Sequence, residues 1–163
     1  MKTIYVVRHA KSSWGDLTLS DFERTLNERG HRNAPEMAQR LLDKGIRIDA
    51  FVTSTAKRAM QTSAYFIKAY KRPTDELIQK DELYHAPAST YEEVLSSLPD
   101  QYESAAIFGH NPGITAFVNS LTPTRIDNMP TCGIFAVEIE ADRWADFSSA
   151  PKKFLFFDAP KLG

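Results

Sequence analysis

The sequence predicts an α/β protein: a three-layer α/β/α sandwich on a mainly parallel sheet with an antiparallel edge. Three observations lead there. β-Branched and aromatic runs recur at residues 3–7, 48–54 and 105–109, a helical spacing follows each of them, and two further strand-like segments close the chain. Strands alternating with helices imply a parallel sheet covered on both faces, and consecutive late strands pair antiparallel at a sheet edge.

Each element has its own justification. The first strand, "TIYVV", is followed by "TLNERGHRNAPEMAQRLLDKG", where Met37, Leu41 and Leu42 share one helical face and Gly45 is a stop signal. Pro35 lies inside that stretch, so the helix is expected to begin near it or to kink there. The second strand leads into "AKRAMQTSAYFIKAY", a helix apolar on one side, and a shorter helix, "TYEEVLSSL", precedes the third strand. Beyond "NPGITAFVNSL" come "GIFAVEIE", which alternates, and "KKFLFFD", a denser apolar run. No repeat, linker or low-complexity segment divides the 163 residues, and the expectation is a single domain over 1–163.

Composition narrows the function classes. A net charge of −1, with 42% hydrophobic and 25% charged residues, argues against a general nucleic-acid or membrane surface. Cys132 is the sole cysteine, so no internal disulfide framework is possible, as in a reducing compartment. The N-terminal apolar run is short and ends at Arg8, unlike a signal peptide. No apolar stretch approaches the roughly 20 residues of a membrane helix. The expected location is the cytoplasm.

The chemistry collects at strand ends. The first strand ends in Arg8-His9, the second runs into "STAKRAMQT" with Arg58 in the first turn of the next helix, and the third ends in "FGHNPG" with His110 at a Pro-Gly turn. If these strands are neighbours, two arginines and two histidines converge where open α/β sheets bind ligands. Arginine forks match phosphate oxygens and an imidazole can act as a nucleophile, so the pocket is biased towards a phosphoryl group.

"VVRHAKS", Asp21-x-x-Arg24-x-Leu26, "STAKRAMQT" and "GHNPG" together resemble the histidine phosphatase, or phosphoglycerate mutase-like, superfamily, and the compact chain with its RHAKSSW form resembles the SixA-type phosphohistidine phosphatases. The ordered motifs run from Ile4 to about Gly113. The resemblance implies the phosphoglycerate mutase-like fold and a phosphatase without cofactor or metal. It makes His9 the nucleophile of a phosphohistidine intermediate, with Arg8, Arg58 and His110 around the phosphoryl oxygens. It also implies an acid for the leaving group between the second helix and third strand, where Glu82 of "KDELYHA" matches and His85 is the rival. Ser12 either bonds phosphate or turns the loop. The superfamily usually reads Arg-His-Gly, whereas this chain has Ala10.

Duller readings and other chemistries stand beside this one. Glu82 lies among Asp75, Glu76, Lys80 and Asp81, so a charged surface loop is its second reading, and His31 reads as a solvated face. A cysteine phosphatase needs Arg six positions after its cysteine, but Glu138 stands there relative to Cys132. There is no Asp-x-Asp, no P-loop and no histidine pair at metal-ligand spacing. The expected substrate is a phosphorylated protein carrying phosphohistidine. The alternatives are a small phosphomonoester and a binding module that no longer turns over. A mutase would need more chain to enclose a sugar phosphate.

Overall fold

The computed structural model describes residues 1–163. In chain order its elements are β1 (Lys2–Arg8), α1 (Glu28–Asp43), β2 (Ala50–Thr53), α2 (Lys57–Ala69), β3 (Ile78–Gln79), α3 (Ala88–Ser96), β4 (Ser104–Gly109), α4 (Gly113–Leu121), β5 (Ile134–Ile139) and β6 (Lys152–Asp158). All six strands form one sheet in the order β3-β2-β4-β1-β5-β6. The first four are mutually parallel, and β5 and β6 add an antiparallel edge.

Two apolar clusters sandwich this sheet. On one face Ile4, Val6, Val52 and Ile107 pack against Tyr91 and Leu95 of α3 and Ile114 and Phe117 of α4. On the other, Tyr5, Val7, Phe51 and Phe108 meet Met37 and Leu41 of α1 and Phe66 and Ile67 of α2. Neighbouring β1 residues thus enter opposite layers, which is why the strand reads as an unbroken apolar run. No helix is long and apolar enough to cross a membrane.

Two elements differ from the sequence expectation, α1 and β3, while β6 is the antiparallel edge strand expected and adds a bulge. α1 starts seven residues before Pro35, because the Asn27 side chain accepts from the Gly30 N–H as an N-cap and Glu28 occupies the first turn. Pro35 is exposed, so the His31 carbonyl that loses its amide partner faces solvent. The buried face of α1 runs through Ala34, Met37, Ala38 and Leu41, leaving Leu42 only half-buried. The expected stop does occur: Gly45 has φ +74, with its N–H on the Leu42 carbonyl and the Ile46 N–H on the Leu41 carbonyl. The two-residue strand β3 left no periodic signal. In "KKFLFFD", a bulge lets Phe156 and Phe154 oppose successive β5 residues, and the intervening Leu155 is exposed. The dense apolar run therefore belongs to an edge strand, whereas alternating β5 is interior and almost wholly buried.

Candidate active site

β1 and β4 are parallel neighbours with Arg8 opposite Gly109. The residues just beyond both strands therefore emerge side by side at the carboxyl edge. The His9 N–H donates to the Gly109 carbonyl (3.1 Å), and the His9 and His110 rings lie 5.2 Å apart. β2 flanks β4 and delivers Ser54, whose hydroxyl lies 2.8 Å from Nε2 of His110. Arg58 follows as the second residue of α2. All four expected residues line one cleft of about 280 Å³, together with Lys11, Ser12, Asp21, Arg24 and His85.

The hydrogen bonds inside the cleft fix much of its chemistry. Nδ1 of His9 is 2.7 Å from the Ala10 carbonyl. A carbonyl only accepts, so Nδ1 carries the proton and Nε2 keeps its lone pair. Burial, reinforced by Arg58, Arg8 and Arg24, pushes the His9 pKa down to about 3, and the Ala10 carbonyl only partly offsets this. Burial, then His9 and Arg58, hold His110 at about 3 as well. Both rings are therefore neutral at pH 7.

Three buried nitrogens have no partner in the protein: Nε of Arg8, Nε of Arg58 and Nδ1 of His110. Burying one unsatisfied donor costs about 1–3 kcal/mol, and native structures hold few of them. Here all three belong to one cleft, where four cations (Arg8, Lys11, Arg24 and Arg58) face a single carboxylate, Asp21. Such a cleft suits an anion with several oxygens.

Asp21 organises the arginines. Its carboxylate accepts from Arg58 (3.1 Å), Arg24 (3.1 Å) and the Tyr84 hydroxyl (2.6 Å), and its carbonyl accepts from Arg58 Nη1 (2.6 Å). Burial raises its pKa, but Tyr84, Arg58 and Arg24 outweigh that and bring it to about 2. The motif Asp21-x-x-Arg24 was visible in the sequence, but its role was not, because Arg58 is 37 positions away. Arg8 is held from the other side by the Met129 carbonyl (2.9 Å), which the Asn111 amide also reaches (3.0 Å).

Supporting residues that sequence reasoning missed complete the frame. The Thr62 hydroxyl accepts from the Ala10 N–H (2.9 Å) and donates to the Arg58 carbonyl (2.8 Å), tying the loop after β1 to α2. The Tyr91 hydroxyl accepts from the His110 N–H (3.0 Å), and a Cβ at Gly109 would collide with that ring. The glycine before His110 and Thr62 as the last letter of "STAKRAMQT" were the available hints. The Cys132 N–H donates to the Arg8 and His9 carbonyls (3.0 and 3.1 Å) beneath the site. Ala10 avoids the left-handed region, and its methyl is packed in the core, so the departure from Arg-His-Gly strains nothing.

The remaining expected residues separate. The Ser12 hydroxyl lines the cleft but already accepts from Arg24 Nη1 (2.8 Å). Glu82 is exposed on the turn Asp81–Leu83 and does not line the cleft. His85 does line it, at φ +57 and with its ring 3.9 Å from that of Tyr84. No group of three or more His, Cys, Asp or Glu side chains is arranged to hold a metal.

A parallel sheet whose strand ends gather neutral histidines and arginines about an anion-sized cleft defines an enzyme of phosphoryl transfer. The family model of the histidine phosphatase superfamily (branch 1) matches residues 4–104, and the chain belongs to that superfamily. It is 30% identical to MT1313 of Mycobacterium tuberculosis over 95% of this chain and 100% of that protein. It is 25% identical to the chloroplastic At3g52155 of Arabidopsis thaliana over 89% of this chain and 70% of that one. A structure assigned to phosphohistidine phosphatase SixA of Agrobacterium tumefaciens superposes with a TM-score of 0.80 at 26% identity, covering 98% of this chain and 99% of that one. Mycobacterial glucosyl-3-phosphoglycerate phosphatase Rv2419c shares the fold, with a TM-score of 0.72 at 13% identity over 94% and 96% of the two chains. The chain is a phosphatase with the phosphoglycerate mutase-like fold.

Proposed function

We propose that this phosphatase hydrolyses phosphohistidine on proteins through a phosphorylated His9. The observation that carries the reading is the set of three buried, unpartnered nitrogens, Arg8 Nε, Arg58 Nε and His110 Nδ1, on residues that line one cleft with a histidine whose Nε2 holds a free lone pair. Ser54 Oγ accepts from the Ala56 N–H (3.2 Å) and has one hydrogen to give to His110 Nε2, which leaves the proton on Nδ1 for a phosphoryl oxygen.

Nε2 of His9 attacks phosphorus in line, the leaving nitrogen or oxygen departs with a proton, and the phosphoryl group rests on Nε2. Positive charge spreading over the ring strengthens the Nδ1–H bond to the Ala10 carbonyl, while Arg8, Arg58 and His110 meet the equatorial oxygens. Water then displaces phosphate and restores neutral His9. Ser12 keeps its own hydrogen for a phosphoryl oxygen. Because the chain's own cations supply the charge, chelators are expected to leave activity intact.

The substrate follows from the leaving-group side. Phosphohistidine protonated on its own ring departs as neutral imidazole and makes little demand on an acid. That suits a cleft that His85 lines and exposed Glu82 does not. Likeness to the SixA structure supports the same substrate, and likeness to glucosyl-3-phosphoglycerate phosphatase supports a small phosphomonoester as the second reading. The test compares kcat/KM on a phosphohistidine carrier domain with values for sugar phosphates and phosphoserine peptides, and traps the intermediate. Acid-labile, alkali-stable label on His9, absent from His9→Ala, with the carrier preferred, is the expected result. A sugar phosphate turned over far faster reverses the substrate assignment, and label surviving acid removes His9 as nucleophile.

A further inference from the structure

Beside the cleft lies a larger depression of about 760 Å³, and Lys11 and Thr131 line both. It presents four cations, Lys11, Arg29, Arg125 and Lys161, against the single carboxylate of Asp127. All four are exposed, and none forms an ion pair within the protein. Exposed cations elsewhere, such as Lys57, Lys68 and Lys71, also lack ion pairs, and what marks this depression is the gathering of four around one carboxylate. In a chain of net charge −1, such a concentration of unpaired positive charge is local.

A second feature borders the same cleft. Residues 14–22 hold four of the seven exposed large apolar side chains, among them Trp14 (70% exposed) and Leu17 (94%). Trp14 lines the cleft and stacks on the guanidinium of Arg24 at 3.5 Å. Exposed apolar side chains gathered on one short segment that reaches a polar site are the kind of surface a partner buries.

We infer that these two edges form a docking surface for a folded phosphoprotein, with acidic side chains beside its phosphohistidine entering the basic depression and an apolar patch meeting residues 14–22. The inference rests on the phosphohistidine reading above and adds the chemistry of the partner. Charge complementarity sets the acidic side, since four unpaired cations raise the encounter rate with carboxylates and repel a basic partner. A free polyanion fits less well. It has no apolar surface to bury on Trp14 and Leu17, and Ile126, Phe157 and Leu162 also line the depression. A protein face supplies both kinds of group.

The test uses the whole chain with a small carrier domain phosphorylated on histidine by phosphoramidate. One version carries carboxylates around the phosphohistidine, and the other carries amides at the same positions. p-Nitrophenyl phosphate is the control substrate. At low salt, kcat/KM is expected to be about tenfold higher for the acidic carrier. That preference should vanish near 1 M salt, where charges are screened beyond about 3 Å. Arg125→Glu with Lys161→Glu should remove the preference through KM, leaving kcat and ester hydrolysis unchanged, and the milder Gln pair should act in the same direction. Leu17→Ser should raise KM for both carriers and spare the ester. Equal kcat/KM for the two carriers at low salt overturns the docking surface, as does parallel loss of ester hydrolysis in both double variants. Polyphosphate that competes more tightly than the acidic carrier, and is shortened by the enzyme through Arg125 and Lys161, replaces the protein partner with a polyanion. Ester turnover with no hydrolysis of either carrier defeats the phosphohistidine reading itself, a result distinct from equal hydrolysis of both.

Discussion

Arg58 illustrates how one side chain's value depends on what holds it. Its Nη atoms are spent on Asp21, and its buried Nε, on a residue that lines the cleft, has no partner in the protein. Arg58→Ala should lower kcat/KM by 10²–10³, about 2.7–4 kcal/mol, if its donor acts as oxyanion donors do. Arg58→Lys should recover little of it, because a single ammonium cannot hold Asp21 and address the cleft at once. Asp21→Asn keeps the shape but removes the charge that gathers Arg58 and Arg24. A smaller fall in kcat/KM is expected there, and full activity would show that Arg58 needs no carboxylate. Arg8, His9 and His110 were legible in the sequence because a strand's end is fixed in place by its neighbours, and Arg58 because it opens the helix that follows β2. Asp21 was legible only as a motif letter, since its partners come from α2 and from the segment before α3. Glu82 matched by position along the chain, yet an exposed turn carries it outside the cleft, and no periodic pattern forecasts where such a turn points.

At the scale of elements, the loop that links β1 to α1 is held through the Ala10 backbone, which bonds the Thr62 and His9 side chains. Ala10 gives its N–H to Thr62 and its carbonyl to His9, and its methyl lies in the core without left-handed backbone. Ala10→Gly, which restores the more usual motif, is therefore expected to cost stability, roughly 0.5–1 kcal/mol by analogy with Gly for Ala in regular elements, and to raise no rate. Chemical denaturation alongside kcat measurement checks both halves, and a faster glycine variant would mean that the methyl obstructs the cleft. The mainly parallel sheet, its antiparallel edge and the helix layers were readable because period and length signals are summed over many residues. The start of α1 was not, because one Asn27 side chain and a solvent-facing Pro35 outweighed the usual rule about proline. The β6 bulge was equally hidden, since a single extra residue changes which side chains face outward without changing composition.

Across the whole molecule, the two neutral histidines couple stability to pH. Each has a folded pKa of about 3 against 6.5 for the free side chain, so the unfolded chain binds more protons between those values. Their contribution is complete above pH 6.5 and is lost as pH falls towards 3, with a slope of about 1.4 kcal/mol per pH unit for each histidine. Denaturation midpoints between pH 7 and 4.5 should fall steeply, and His110→Gln should flatten the slope by about one proton. The same displacement implies that kcat/KM carries no acid limb near 6.5 from His9. Such a limb, abolished by no substrate change, would mean that His9 is protonated in the resting enzyme.

The loop turn under the site has a further consequence, for chemistry the enzyme avoids. Cys132 is the only sulfhydryl in the chain; it is fully buried at φ +58, and burial pushes its pKa up, so almost no thiolate exists at neutral pH. Phosphatases that attack with sulfur are silenced by peroxide and alkylating agents, whereas hydrolysis here should persist through iodoacetamide or hydrogen peroxide. The Cys132 N–H bonds the Arg8 and His9 carbonyls and the side chain lies in the core, so a reagent reaches the sulfur only when this part of the structure opens. The rate at which a thiol reagent labels Cys132 therefore clocks the opening of the native state, one reactive atom recording how often the loop that carries His9 loses its floor.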